Sequence, residues 1–556
     1  MRDCRPIACC NVLYKVVSKV LANRLKKLLP RIIIANKSAF VKGRLLMENV
    51  LLASEVVKDY HKNSIAPRCA MKLDISKAFD SVQWSFLLNS PVAMGFPERF
   101  IHWIKLCVTT PSFSVQVNRD LAGYIQSSRG LRQGCSLSPY LFVLCMNVLS
   151  YKIDKALREK KFGIYPRCQS LALTHLCFFD DLMVFVEGTK NSVEGVLSVF
   201  DEFAGWSGLS ISLEKSTIFM VGIAEGERSR ILTNFPFAEG KLTVCYLGLP
   251  LMTQVMGRQD YLPQGTVFRL PGQCSKEIEK LCSAFLWSRP ELKSTGAKVA
   301  CQDICKTKDK GGLAIWPLKE VNHLKLIWRM FPGDSLWGKW IRTNLLKKKS
   351  FWEVSEKTQA GSWIWRKMLK LRYVARPFHM KDVGNGRQIS FWFDRWSEFG
   401  VMSELLGERG ILEMGIRREA TLEEALCNQR RKKRHRRPIL NDIEKEMSIV
   451  KEKLSSEMED VDLWGWKSGY KNNFSTTETW QQTQEVGSAC TWGKSIWFSQ
   501  ASPKFAFMTW IAMHDSNGKK EEFLSQICIT SHLVYIVVGK KHAPSWRLSY
   551  GVASLD

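Results

Sequence analysis

The stretch "THLCFFDDLMVFVEG", Thr174 to Gly188, sets two adjacent aspartates, Asp180 and Asp181, between two apolar runs. The runs read as a hairpin, strand 174–179 and strand 182–187, with the acids at its turn. Two ionised carboxylates about 4 Å apart repel by about 4 kcal/mol at an effective dielectric of 20. A proton, an Arg or Lys partner, or a divalent cation cancels that repulsion, and a turn open to water dissipates it. No Lys or Arg lies between His175 and Gly188, so no partner is local. Carboxylate oxygens suit a hard cation such as Mg²⁺.

Working outward, "CAMKLDISKAF" (Cys69 to Phe79) begins as a short buried strand that ends on Asp74. A third carboxylate at a strand end can face the hairpin across a sheet. Three carboxylates around two Mg²⁺ ions are the apparatus of in-line phosphoryl transfer. "QGCSLSPYLFVLCMNVLSYKI" starts a helix, with Ser138 as N-cap and Pro139 at the first position, and its nearly all-round apolarity predicts burial. "SVEGVLSVFDEFAGWSG" is a helix with Val193, Val196, Leu197 and Phe200 on one face, broken by Gly205 and Gly208. "LSISLEKSTIFMVG" reads as two short strands around Glu214 and Lys215. Upstream, Asn11 to Leu29 is helical, with Val12, Val16, Val20, Leu21, Leu25 and Leu28 along one side and Pro30 closing it. A second helix fits Leu46, Val50, Val57 and Tyr60. Strand, long helix, hairpin, helix and strands describe a mixed sheet backed by helices on one face, an α+β layer.

The chain has 556 residues, enough for about two to four domains. No stretch of about 18 apolar residues is present, so no membrane partner is expected, and the N-terminus lacks a secretory apolar region. The 17 cysteines are odd in number and scattered, as in reduced intracellular proteins. The net charge of +28 attracts polyanions, nucleic acid first, unless the surface is merely basic. Only Trp84, Trp103 and Trp206 of the 20 tryptophans precede residue 286, so the remainder is a different kind of segment. It holds "RRKKRHRR" (Arg430 to Arg437), which reads as a nuclear-import or phosphate-binding run or as a solvated linker. The expected location is the nucleus or cytoplasm, the run favouring the nucleus.

Five motifs in series then carry a resemblance: "KLDISKAFDSVQW", "GLRQGCSLSPYLF", "HLCFFDDLMVF", "GLSISLEKSTIF" and "YLGLPLM". In this order and spacing they resemble the palm of reverse transcriptases of LINE-type (non-LTR) retrotransposons, the plant-type elements especially. "GGLAIWPLKEVN" and "NGRQISFWFDRW" are similar to the tail of those proteins. The resemblance implies a right-hand polymerase: an antiparallel palm sheet backed by helices, partial fingers, a shortened helical thumb and a mostly helical C-terminal region. The corresponding division is 1–70 partial fingers, 71–225 palm with inserted fingers segment, 226–320 thumb or connection, and 321–556 a Trp-rich basic region. The implied function is RNA-directed DNA synthesis on an RNA template, from a DNA primer and dNTPs, with two Mg²⁺ ions or Mn²⁺ in their place. The alternative is an inactive remnant that only binds nucleic acid.

Roles follow by position. Asp74, Asp180 and Asp181 would hold the metals, helped by the Ile75 carbonyl. Phe79 falls on the sugar-gate position, where a flat ring excludes a 2′-OH; it also fits a core aromatic. Gln133 and Gly134 match the loop beneath the incoming nucleotide, or a plain turn before a helix. Lys215 matches the lysine that protonates pyrophosphate, or a solvated turn lysine. Arg44, in "FVKGR", matches a fingers arginine that grips triphosphate, or one more surface charge. The departures are specific. Part of the fingers and any endonuclease are expected to be missing ahead of Arg5. Phe179 stands where the family usually has alanine and is expected to crowd the primer end. The chain shortens after "YLGLPLMTQVMGRQDYLP", in the thumb. Cys528, His532 and His542 offer no fourth ligand, so no zinc site is expected.

Overall fold

Strand β1 (Arg68–Asp74) is the centre of the sheet, with Cys69, Met71 and Leu73 alternating onto one buried apolar face. The sheet is seen in a computed structural model that describes residues 8–252 and 299–514, apart from 63–64, 119, 236, 241–242, 248, 300, 316–317, 334, 348, 428–434, 485–489, 491 and 498–501. β1 pairs antiparallel with β5 (Asp181–Glu187) on one side and with β6 (Thr217–Val221) on the other. β4 (His175–Phe178) flanks β5 antiparallel, and the two-residue β7 (Ala238–Glu239) lies parallel to β6. The order is β4-β5-β1-β6-β7.

Cys69, Met71 and Leu73 point to the same side as Leu182, Val184, Val186, Ile218 and Met220. They form one core with α6 (Ser138–Arg158) and α7 (Lys190–Ser207), through Phe142, Leu149, Val196 and Phe203 among others. This is the α+β layer that the periodicities imply and the palm that the resemblance implies, an almost wholly antiparallel sheet backed by helices. α4 (Trp84–Ala93) and α5 (Glu98–Thr109) extend the same core through Leu87 and Ile104. α2 (Leu46–Val56) is buried along most of its length. α8 (Glu225–Asn234) seats Ile231 in the core.

Several local expectations are corrected. α1 (Val12–Ile32) passes through Pro30: proline removes one N–H bond, and the chain turns extended only at Ile33, whose N–H reaches Leu29 O at 2.9 Å. Its buried edge is Leu21, Ala22, Leu25 and Leu29, whereas Val12, Val16, Val20 and Leu28 are exposed. In α6 Ser138 is the first helical residue and Leu137 the cap. Gly205 lies inside α7, and Gly208 alone, at φ 75°, ends it. Of the two strands around Glu214 and Lys215 only β6 forms; Ile211 makes an isolated bridge to Ile75, and Leu213–Lys215 is a 3-10 turn. A hairpin not anticipated, β2 (Ser112–Val117) with β3 (Asp120–Gln126), follows α5, and β3 is exposed throughout.

The chain forms two compact units, interleaved along the sequence. The first comprises residues 1–264, 329–372 and 383–460; the second 265–328, 373–382 and 461–556. In the first, the returning segments brace α2: Arg329 pairs with Glu48 at 2.7 Å, and Ser362 donates from N, at 2.7 Å, and from Oγ to the buried Glu55. In the second, β10 (His379–Asp382), β11 (Val461–Trp466) and β12 (Gly469–Lys471) form a small sheet. There Asp462 takes His379 at 2.8 Å and Lys381 at 2.7 Å, which hold its carboxyl well below the usual range despite burial. The expected shortened thumb falls largely outside the described residues, as do Cys528, His532, His542 and Arg430–Arg434. His435 and Arg437 of the basic run pair with Glu444 and Glu413, each at 3.3 Å.

Candidate active site

The end of β1 and the turn of the β4–β5 hairpin meet by register. Asp74 is the direct cross-strand partner of Asp181, and Phe178 pairs with Asp181 across the hairpin, leaving Phe179 and Asp180 as the turn. All three aspartates are half-buried. Burial raises the Asp181 carboxyl above the usual range, the neighbouring Asp180 and Asp74 raise it further, and Lys72 opposes them. Lys72 was not anticipated. Two residues before Asp74 on a strand, it shares the face of that aspartate, and alternation alone could have pointed to it. The local absence of a cation around the hairpin is thus made good from the adjoining strand.

The main chain at Asp74 is clamped by the loop that carries Lys215. Ser212 N donates to Asp74 O at 2.8 Å, Asp74 N to Ser216 Oγ at 3.2 Å, and Ser76 N to Ser210 O at 2.9 Å. Lys215 itself is exposed. Ile75 is buried at this junction, with its bridge to Ile211. Strand β4 is pinned from behind by a buried polar relay: His175 Nε2 meets Ser150 Oγ at 2.8 Å, Nδ1 meets Thr174 Oγ1 at 2.7 Å, and Thr174 donates to Asp154 at 2.9 Å. Burial, with Lys37 nearby, pulls His175 down to about 3, so the ring is neutral.

Phe179 occupies the left-handed region at φ 61°, which a large side chain adopts only when packing holds it there. Its ring packs on Phe142 at 4.8 Å, Phe79 at 5.2 Å and Phe40 at 5.5 Å. The ring that the sequence suggests would crowd a primer end is drawn into this aromatic cluster. Phe79 is half-buried and stacks on Phe142 at 5.4 Å. Its carbonyl accepts from Leu131 N at 2.6 Å, which ties the loop of Gln133 and Gly134 to α3 (Ala78–Ser81). Gln133 is half-buried; Gly134 is exposed at φ 98°, a conformation that suits glycine. Arg44 is committed elsewhere: its guanidinium donates to Ile33 O at 2.5 Å, to Lys37 O at 2.6 Å and to Ile34 O.

The donor set, three mutually repelling carboxylates, has the chemistry a hard divalent cation takes. Among the described residues no three His, Cys, Asp or Glu side chains are gathered about one point as metal ligands. The register brings the three carboxylates to one end of the sheet without gathering them about one point. No helix among the described residues is long and apolar enough to cross a membrane.

Residues 1–251 match the family described as reverse transcriptase (RNA-dependent DNA polymerase), whose members generally use divalent metal ions. A 149 kDa uncharacterized protein of transposon TX1 from Xenopus laevis is 25% identical over 226 residues, which are 41% of this chain and 16% of that protein. The Pol polyprotein of the type-2 retrotransposable element R2DM from Drosophila melanogaster is 28% identical over 225 residues, 40% of this chain and 20% of the polyprotein. The chain thus spans a fifth or less of the length of these relatives. A Candida tropicalis telomerase in complex with a telomeric RNA fragment aligns at 16% identity and a TM-score of 0.31, over 49% of this chain and 42% of that one, a likeness too slight to bear on the fold. With Asp74, Asp180 and Asp181 all inside the matched residues, the chain belongs, through residues 1–251, to the reverse transcriptases of LINE-type, non-LTR retrotransposons.

Proposed function

We propose that the chain is an RNA-directed DNA polymerase that adds dNTPs to a DNA primer 3′-OH on an RNA template. The observation that carries this reading is the pairing of Asp74 with Asp181 beside Asp180, at the open end of an antiparallel sheet. Asp74, Asp180, Asp181 and the Ile75 carbonyl would hold two Mg²⁺ ions, or Mn²⁺, which when bound supply Lewis-acid charge at the attacking and leaving oxygens. Phe79, fixed by Phe142 and Phe179, presents a rigid edge against a 2′-OH. The Gln133–Gly134 loop offers main chain under the nucleotide. Lys215, exposed on a turn tied to Asp74, is free to reach and protonate pyrophosphate. Arg44 braces the loop beside β4, and a grip on triphosphate requires it to leave three carbonyls.

A second reading is a nucleic-acid-binding remnant without catalysis, favoured by the three carboxylates not being gathered about one point. Primer extension on an RNA template, read beside RNA binding at about 50 mM salt, separates the two. The wild type is expected to extend, and Asp74→Asn and Asp180→Asn to lose at least ~10²-fold in rate while still binding RNA. Binding without extension in the wild type selects the remnant. Binding by every form should fall by roughly 10³–10⁵ between 50 and 200 mM salt if about 6–10 phosphates are contacted.

A further inference from the structure

Directly behind the aspartate hairpin a lysine is buried against a thiol. Lys37 is 3% exposed and Cys177 2%, and Lys37 Nζ donates to Cys177 Sγ at 3.6 Å. The contact is built by the main chain: Cys177 N donates to Asn36 O at 3.0 Å, and Ser38 N to Cys177 O at 3.3 Å. Asn49 Nδ2 adds a third hold on Cys177 O, at 3.2 Å. The groups that act on the charge of Lys37 are thiols, Cys177 first and then Cys145. Burial pulls the Lys37 ammonium below its ordinary range and pushes the Cys177 thiol above its own, so the pair tends toward neutral amine and neutral thiol. A small, partly open cavity of about 10 Å³, room for about one small molecule, touches both residues, and Ala39, Val143, Met146 and Phe179 complete its lining. Dioxygen, small and apolar, suits a lining made mostly of apolar side chains.

We propose that Lys37 and Cys177 form an oxidation site, at which dioxygen joins Nζ to Sγ through a single bridging oxygen atom. The S–H bond and one N–H bond break, and S–O and O–N bonds form. Sulfur and nitrogen each give up two electrons, which reduce both oxygen atoms. One oxygen stays in the bridge, and the other leaves as water with the two hydrogens. An inserted atom spans the 3.6 Å separation with less movement than a direct S–N bond needs. The bridge staples the loop ahead of Arg44 to β4, two residues before Phe179. It also removes the hydrogen that Cys177 Sγ gives to Phe179 O at 3.5 Å. The modification is read on the protein itself, so it stands or falls independently of polymerase activity.

The test is peptide mapping of the full chain, kept either under argon with dithiothreitol or in dioxygen-saturated buffer without it. The expected product is heavier by about 14 Da, the gain of one oxygen and loss of two hydrogens, in a species joining Lys37 to Cys177. Dithiothreitol returns it to the starting mass, and Cys177→Ser and Lys37→Met do not form it. Should either variant fail to fold, the wild-type map decides alone. Tryptic cleavage after Lys37 with Cys177 unmodified, present as sulfinic acid or paired with Cys145, overturns the proposal.

Discussion

Asp181 carries the tension of the site. Burial, Asp180 and Asp74 all favour its protonated form, so its folded-state carboxyl lies above the ordinary range. Stability from such a group is complete below the unfolded carboxylate pKa and is lost as pH rises through the folded value. Asp181→Asn removes a destabilising charge at neutral pH. It is expected to raise Tm at pH 7 by about 2–4 °C, to change it little near pH 3, and to abolish extension. Thermal melts at the two pH values check this; an equal or lower Tm at pH 7 counts against the electrostatic account. The three aspartates were readable because like charges between apolar runs demand an explanation. Lys72 was readable only in part: strand alternation sets it on the face of Asp74, while its action on Asp181 comes from the strand pairing. The Arg44 clamp was hidden: its acceptors are main-chain carbonyls, which leave no mark in a sequence.

At the scale of elements, two glycines of one helix separate composition from conformation. Both Gly205 and Gly208 look like breakers in the sequence. A Cβ on Gly205 meets nothing within 4 Å, whereas one on Gly208 would sit 2.4 Å from Ser81 O, on a backbone at φ +75°. Gly205→Ala is expected to be neutral or to stabilise by up to ~1 kcal/mol. Gly208→Ala is expected to destabilise by at least about 1–2 kcal/mol. Denaturant midpoints measure both, and matching effects would refute the assignment of the helix end. Helix α7 was legible because its buried face repeats at about 3.6 residues, and α6 and the hairpin because their runs are apolar nearly throughout. The β2–β3 hairpin was missed although Ser112–Val117 alternates, since an exposed ribbon has no core face to mark it.

For the whole molecule, the interleaved units lay beyond sequence reading because each gathers segments far apart in the chain. Glu48 and Glu55 on α2 depend on Arg329 and Ser362, far along the chain. Truncation after residue 320 strips both carboxylates of these partners. The truncated chain is expected to lose about 1–3 kcal/mol for each and to be cut faster by protease at 46–56. Unchanged proteolysis would show that the returning segments do not brace α2. The central claim, that acids from two distant segments share divalent cations, is tested most directly by Mn²⁺ titration followed by electron paramagnetic resonance, with primer–template and dNTP present. The wild type should bind Mn²⁺ beyond what nucleic acid and nucleotide bind alone, and Asp74→Asn and Asp180→Asn should each lose that added binding. Equal Mn²⁺ binding by all three proteins would contradict the account.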